Sequence, residues 1–222
     1  MNKQNKKSIL KVIICICVLV CINIMSFALI MGNRGECAFG EGGEKGISIK
    51  SYIIEGAGYF LSSYSDMLLF LNRVEMSELN GIDYNEMRDL LNKAIEKMEK
   101  TKDTYYHLTQ TAEFTVYNRA MIFHLLSFDY QGFQKERGFG NTIFKEVASY
   151  LRKGDVRGFF AILLAYTDDI LRKLYIVKES VDVDKFPDLS TLWRINQGFS
   201  KTLLYGQIAA EIFSTFLSQN CK

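Results

Sequence analysis

Mostly apolar residues return at intervals of four and three along four long stretches, and this rhythm constrains the chain more than any other feature. In the first, Ile53, Ala57, Phe60, Tyr64, Met67, Leu71 and Val74 keep it without a miss. The second runs Met87, Leu91, Ala94, Met98, Thr101, Tyr105, Leu108 and Ala112, and the third Val156, Phe160, Leu163, Thr167, Ile170, Leu174 and Val177. The fourth is Leu192, Ile195, Phe199, Leu203, Gly206, Ala210, Phe213 and Leu217. Residues three and four apart share one face of an α-helix, so each stretch reads as a helix with one side to bury. Arg88, Asp89, Lys93, Glu96, Lys97, Lys100 and Asp103 fall between the apolar positions of the second stretch and give it a solvated face of mixed sign. No segment of the body sustains the alternation of a strand, and Pro187 is the single proline in 222 residues.

Boundary residues divide the body. Asn80-Gly81 is a stop signal, and Asp83 followed by Glu86 reads as a capping box. Asp155, Ser190 and Asn141 read as caps of later helices. The pattern predicts long helices over 51–76, 84–112, 155–180 and 190–218, short helices over 118–127 and 141–153, and loops over 131–140 and 182–189. The expected fold is all-α. It is an antiparallel four-helix bundle with two short extra helices in the crossover between the second and third long helices, preceded by an N-terminal apolar signal or anchor helix.

The leader has a chemistry of its own. Lys3, Lys6, Lys7 and Lys11 precede twenty uncharged residues, 12–31. Twenty helical residues rise about 30 Å, enough to cross a hydrocarbon core, and the basic flank keeps the N-terminus in the cytoplasm. The length favours a retained anchor. Ser26-Phe27-Ala28 and Ala38-Phe39-Gly40 both satisfy the small-x-small rule of signal cleavage. Residues 1–31 are thus a signal peptide or membrane anchor, 32–46, with six glycines, a flexible linker, and 47–222 the helical domain. The expected location is extracytoplasmic, periplasmic or at the cell surface. Residues 41–222 carry 22 basic and 24 acidic side chains, which leaves no footprint for nucleic acid. Of five cysteines, only Cys37 and Cys221 lie outside the apolar leader. A bundle brings its first and last ends together, so an oxidising compartment permits a Cys37–Cys221 disulfide.

Catalytic chemistry is thinly represented. His107 and His124 are the only histidines, with no Glu-x-x-His, His-Glu-x-x-His or Cys-x-x-Cys-His motif, so neither a metal nor a cofactor is expected. Asp103 lies one turn before His107 and reads as a surface pair. The Gly138-Phe139-Gly140-Asn141-Thr142 loop lacks the strand and the Gly-Lys-Ser/Thr of a nucleotide site. Glu55, Ser62 and Asp66 share a stripe, and Asp168 and Asp169 sit mid-helix, all on faces expected to be solvated. No catalytic residue is identified, and no ligand-binding residue can be named.

Sixteen Phe, twelve Tyr and Trp193 are a heavy aromatic load, to be spent on core packing or on a pocket. Gly206 and Ala210, one turn apart and small, either admit a close helix or leave a cavity. The leading expectation is an exported, non-enzymatic binding or protein-interaction module. Its partner would be another envelope protein or a second copy. The alternative is a sensor or carrier with an aromatic-lined pocket for a small apolar ligand. Cell fractionation with N-terminal sequencing should find the chain in the membrane or exported fraction, either intact from Met1 or cleaved near residue 28 or 40. Full-length chain free among cytosolic proteins would end the export reading.

Overall fold

In a computed structural model the described residues are 44–110 and 119–220, and they form seven helices and no strand. These are α1 (Glu44–Asn80), α2 (Tyr84–Gln110), α3 (Arg119–Ser127), α4 (Tyr130–Arg137), α5 (Asn141–Leu151), α6 (Val156–Asp182) and α7 (Leu189–Asn220). The leader 12–31, Cys37, Cys221 and Ala112 lie outside the described residues.

The 4-3 stripes are the buried faces. In α2 every stripe residue from Met87 to Leu108 is buried, and in α6 every one from Val156 to Val177. Phe60, Tyr64, Met67 and Val74 do the same in α1, joined by Phe70, and Leu192, Ile195, Phe199, Leu203, Ala210 and Phe213 in α7. Buried threonine hydroxyls are satisfied locally. Thr101, Thr104, Thr167 and Thr202 each donate to the carbonyl four residues back, so they sit in the core without an orphaned donor.

Specific side chains tie the long helices together. Ser63 Oγ donates to the Ala94 carbonyl at 2.7 Å, and Lys97 meets Asp66 at 2.5 Å, across α1 and α2. Lys102 meets Asp168 at 2.5 Å and Tyr175 donates to Glu99 across α2 and α6. Tyr205 of α7 lies edge-on to Tyr166 at 5.4 Å and stacks on Phe159 at 6.2 Å, both in α6. Between α1 and α7 the contact is made by rings rather than by close backbone approach. Phe199 stacks on Tyr64 at 4.8 Å and touches Phe60 at 5.3 Å, and the Tyr64 hydroxyl donates to Asn196 Oδ1 at 3.2 Å.

Three short helices, not two, occupy the crossover, because 131–140 holds α4 rather than a loop. Its glycines are boundary devices. Asp129 caps α4 by accepting from the Gly132 N–H at 3.0 Å, and Gly138 ends it in the left-handed conformation at φ 67°. Asp155 caps α6 in the same Asp-x-x-Gly arrangement, accepting from the Gly158 N–H at 2.7 Å. At both positions a Cβ would sit against the capping carboxylate as it is placed, so glycine lets that side chain lie close over the first turn.

Other boundaries differ by a few residues. Asp188, not Ser190, caps α7, accepting from the Thr191 N–H at 2.9 Å and from both the Ser190 and Thr191 hydroxyls. Gly140 is the cap position of α5, and Asn141 is already helical. Asp83 accepts from the Asn85 and Glu86 N–H groups, but Glu86 pairs with Arg73 at 2.7 Å. α1 starts at Glu44, inside the last three residues of the stretch read as linker.

Phe199 is fully buried where α1 meets α7. Phe199→Ala should lower the unfolding free energy by about 3–5 kcal/mol, the usual cost of emptying a phenylalanine site. Urea denaturation followed by circular dichroism measures this, and a loss under about 1 kcal/mol would mean that the ring does not hold the seam.

Candidate functional site

The seam between α1 and α7 carries two openings, one on each side of the Phe199 rings. Beyond the rings toward the C-terminal end of α1 lies a groove of about 320 Å³, lined by Leu71, Val74, Glu75, Phe186, Leu189, Leu192, Trp193 and Asn196. Leu189 and Trp193, one turn apart on α7, remain 63% and 61% exposed, and Phe186 in the loop before them is 42% exposed. Met76, Ile82 and Val183 are exposed at the same end of the molecule, where the 81–83 and 183–188 connections lie. Arg88 fixes this end by binding Asp184, a residue in the left-handed conformation at φ 55°. Glu75 is the single ionised side chain lining the groove, and it makes no ion pair among the described residues.

On the other side of the rings lies a cavity of about 80 Å³, lined by Ile53, Ala57, Phe60, Leu61, Tyr105, Val156, Phe159, Phe160, Leu163, Thr202, Leu203, Gly206, Ala209, Ala210 and Phe213. The small residues of α7 face the rings of α1, α2 and α6. Of the two outcomes open at Gly206 and Ala210, the chain takes the cavity. A Cβ built at Gly206 meets no atom within 4 Å. By the usual dependence on residual volume, an empty space of this size costs about 2 kcal/mol. A glycine inside a helix costs about 1 kcal/mol more than alanine. Larger side chains at Gly206 would relieve both costs, so the space is not forced by packing.

A polar cluster flanks the α6–α7 contact. The Tyr166 hydroxyl donates to Glu146 Oε1 at 2.8 Å, and Lys201 Nζ sits 3.5 Å from Glu146 Oε2 and 4.4 Å over the Tyr166 ring. Burial pushes the Glu146 carboxyl up, but the Tyr166 hydrogen bond and the Lys201 charge together hold it below its ordinary value. The Tyr205 hydroxyl is fully buried beside this carboxylate and has no partner at hydrogen-bond geometry among the described residues; burial, and then the nearby Glu146, push its pKa well up.

The residues singled out in the sequence do not converge on one another. His107 stacks on Tyr52 at 5.2 Å, so it packs α2 against α1. Half-buried His124 lies 5.3 Å from the Phe128 ring and 3.5 Å from Thr215 Oγ1, and burial lowers its pKa against a backbone hydrogen bond to Ile212. Asp66 is paired with Lys97, Asp168 with Lys102 and Arg172, and Asp169 with Lys173 and Arg172. The Lys102 hydrogen bond holds the Asp168 carboxyl below its usual range. Glu55 is exposed on α1. Phe139 of the 138–142 loop stacks on Phe144 at 6.1 Å, which makes that loop a helix-to-helix corner. No group of three metal-ligating side chains comes together among the described residues, and none of their helices is long and apolar enough to cross a membrane.

Trp193 and Leu189 stand out only in the structure. Their signal in the sequence is that they are bulky and apolar yet fall outside the 192-195-199 stripe of their helix.

Tyr205→Phe removes a buried hydroxyl that has no partner, so it should leave stability unchanged or raise it by up to about 2 kcal/mol. Tyr166→Phe, which strips a hydrogen bond from Glu146, should lower it by about 1 kcal/mol. Paired urea titrations of the two variants read the difference, and a loss above 1 kcal/mol in Tyr205→Phe would show that hydroxyl to be hydrogen-bonded in solution. No protein-family model, curated protein or solved structure matches this chain.

Proposed function

We propose that this chain is an exported, non-enzymatic helical protein that docks another protein of the cell envelope on the α1–α7 groove. The observation that carries the proposal is the exposed Leu189–Trp193 pair on the rim of a groove whose lining is otherwise apolar except for Glu75 and Asn196. Tryptophan and large apolar side chains left in water beside a ready-made recess are what a protein interface buries at its centre. The lone carboxylate of Glu75 specifies the occupant further. It is a bulky apolar side chain with a lysine or arginine next to it.

The wider architecture in this proposal is an antiparallel four-helix bundle of α1, α2, α6 and α7, carried on residues 12–31 as a signal or anchor helix. The cross-helix pairs support it. Partners of α1 fall in α2 as 63 with 94 and 73 with 86, and in α7 as 64 with 199 and 71 with 192. The sequence numbers run in opposite senses in both comparisons. The 37 residues of α1 span about 55 Å. A chain anchored ahead of Glu44 would therefore hold the groove at the far end of this helix, away from its own bilayer. The segments that build the groove carry both signs, Lys185 and Arg194 beside Asp184 and Asp188 in sequence and Glu75 on α1, which lacks the basic excess of a lipid-binding surface. Both points favour a protein partner over a membrane.

A photo-crosslinking amino acid at position 193 of the full chain, in its own cells, should give one discrete adduct with a different envelope protein. The same group at position 123, on α3, should not give that adduct, and Glu75→Lys should suppress it at least tenfold. The absence of an adduct at 193, a dimer of this chain alone, or the same adduct from both positions would overturn the proposal.

A further inference from the structure

We propose that the cavity between α1 and α7 is a binding site for a small, mostly apolar molecule or alkyl tail bearing one polar atom. It is separate from the groove, with the Phe199 rings between them. Three observations define the occupant. First, the walls admit no charge: among the described residues no Asp, Glu, Lys, Arg or His lines the space. A charged ligand would lose its hydration and gain no counter-ion. Secondly, the polar inventory is reduced to one free group. The Thr202 hydroxyl is committed to the Gly198 carbonyl at 2.9 Å, whereas the Tyr105 hydroxyl makes no hydrogen bond among the described residues. Tyr105 is 7% exposed as a residue, and its oxygen keeps access to a water-sized partner, a place that a ligand atom can take. A ligand hydroxyl or carbonyl would supply its partner.

Thirdly, the dimensions set the size. A cavity of about 150 Å³ lined by Leu, Ile and Phe takes a benzene ring or a xenon atom. At about 80 Å³ this one takes roughly half that, three or four heavy atoms in its interior. Ile53, Ala57, Leu61 and Gly206 are only partly buried, so the space meets the surface along the α1–α7 seam, where the two backbones stand apart. A longer chain would lie out through that opening. Gly206 is the determinant of the site, because its missing side chain is part of the volume and nothing else occupies the place.

The test uses the purified full-length chain with xenon, 1-butanol and sodium butyrate. Xenon NMR should show saturable binding, and 1-butanol should displace the xenon at millimolar concentration, while butyrate should be at least tenfold weaker. Gly206→Leu should reduce xenon and butanol binding at least tenfold while holding or raising the melting temperature. If Gly206→Leu does not fold, Gly206→Ala, whose methyl meets no atom within 4 Å, serves in its place with a severalfold loss. Tyr105→Phe should weaken butanol by about threefold to tenfold, the worth of one neutral hydrogen bond, and leave xenon unchanged. Native mass spectrometry of the isolated protein distinguishes the sources: a retained lipid displaced by butanol identifies an acyl tail, and a lipid-free chain that binds the probes identifies a free small molecule. Absence of saturable xenon and butanol binding, butyrate binding as tightly as butanol, or unchanged binding in the folded Gly206 variant would overturn the proposal. Each outcome is independent of crosslinking at position 193.

Discussion

The packing of Phe199 against Tyr64 and Phe60 governs the molecule. α1 with α2, α2 with α6 and α6 with α7 meet through close backbone approach, α1 with α2 the most extensively. Rings at the centre of the α1–α7 seam hold those two helices apart, and a gap held open must be filled along its whole length or remain partly empty. On one side the filling is left to exposed side chains of the α7 N-terminus. On the other, α7 presents Thr202, Gly206, Ala209 and Ala210, which are too short to reach across. Groove and cavity are thus two results of one constraint.

Electrostatics among the described residues serves register and helix ends. Asp66, Asp168 and Asp169, which could have joined an acid–base pair, each have a cation: Lys97, Lys102 and Lys173. Such part-exposed pairs contribute little energy individually, but they penalise a slip of one helix along the next. Asp188 shows the capping role most clearly. Hydrogen bonds from Ser190 and Thr191 hold its carboxyl down to about 2. Because the folded value lies below the unfolded one near 4, this cap is fully present above about pH 4 and is lost as the pH falls through 2. The start of α7, which carries the groove residues, therefore depends on an ionised side chain across the neutral range.

Much of the fold was legible because a helix face is a local pattern. The four stripes identified the buried faces, and Asp83 and Asp155 identified two helix starts, since a cap and its N–H partner lie within three residues. The segment 131–140 was misread for an instructive reason. Its glycines look like chain breakers until each is paired with its neighbours: Gly132 with Asp129 behind it, Gly138 as the left-handed stop of one helix and Gly140 as the entry to the next. Ser190 was taken for a cap that Asp188 provides, because the serine hydroxyl serves the same carboxylate. The site was only half visible. Small residues at Gly206 and Ala210 showed that something unusual happens on that face. Whether they admit a helix or leave a space depends on the offset between α1 and α7, which rings distant in sequence decide. The Glu146–Tyr166–Lys201 cluster spans 55 residues and three helices, so no local pattern announces it.

Two glycines, Gly158 and Gly206, lie within helices for opposite reasons. At Gly158 the space of a side chain is taken by the carboxylate of Asp155 and the Tyr150 ring, so a substitute would have to displace them. At Gly206 the absent side chain is replaced by nothing, and the fold would accept almost any modest one. Selection for a sturdier molecule therefore pushes harder on the second position than on the first, and with the proposed pocket there, residue 206 is the point where durability and binding would pull the same chain in different directions.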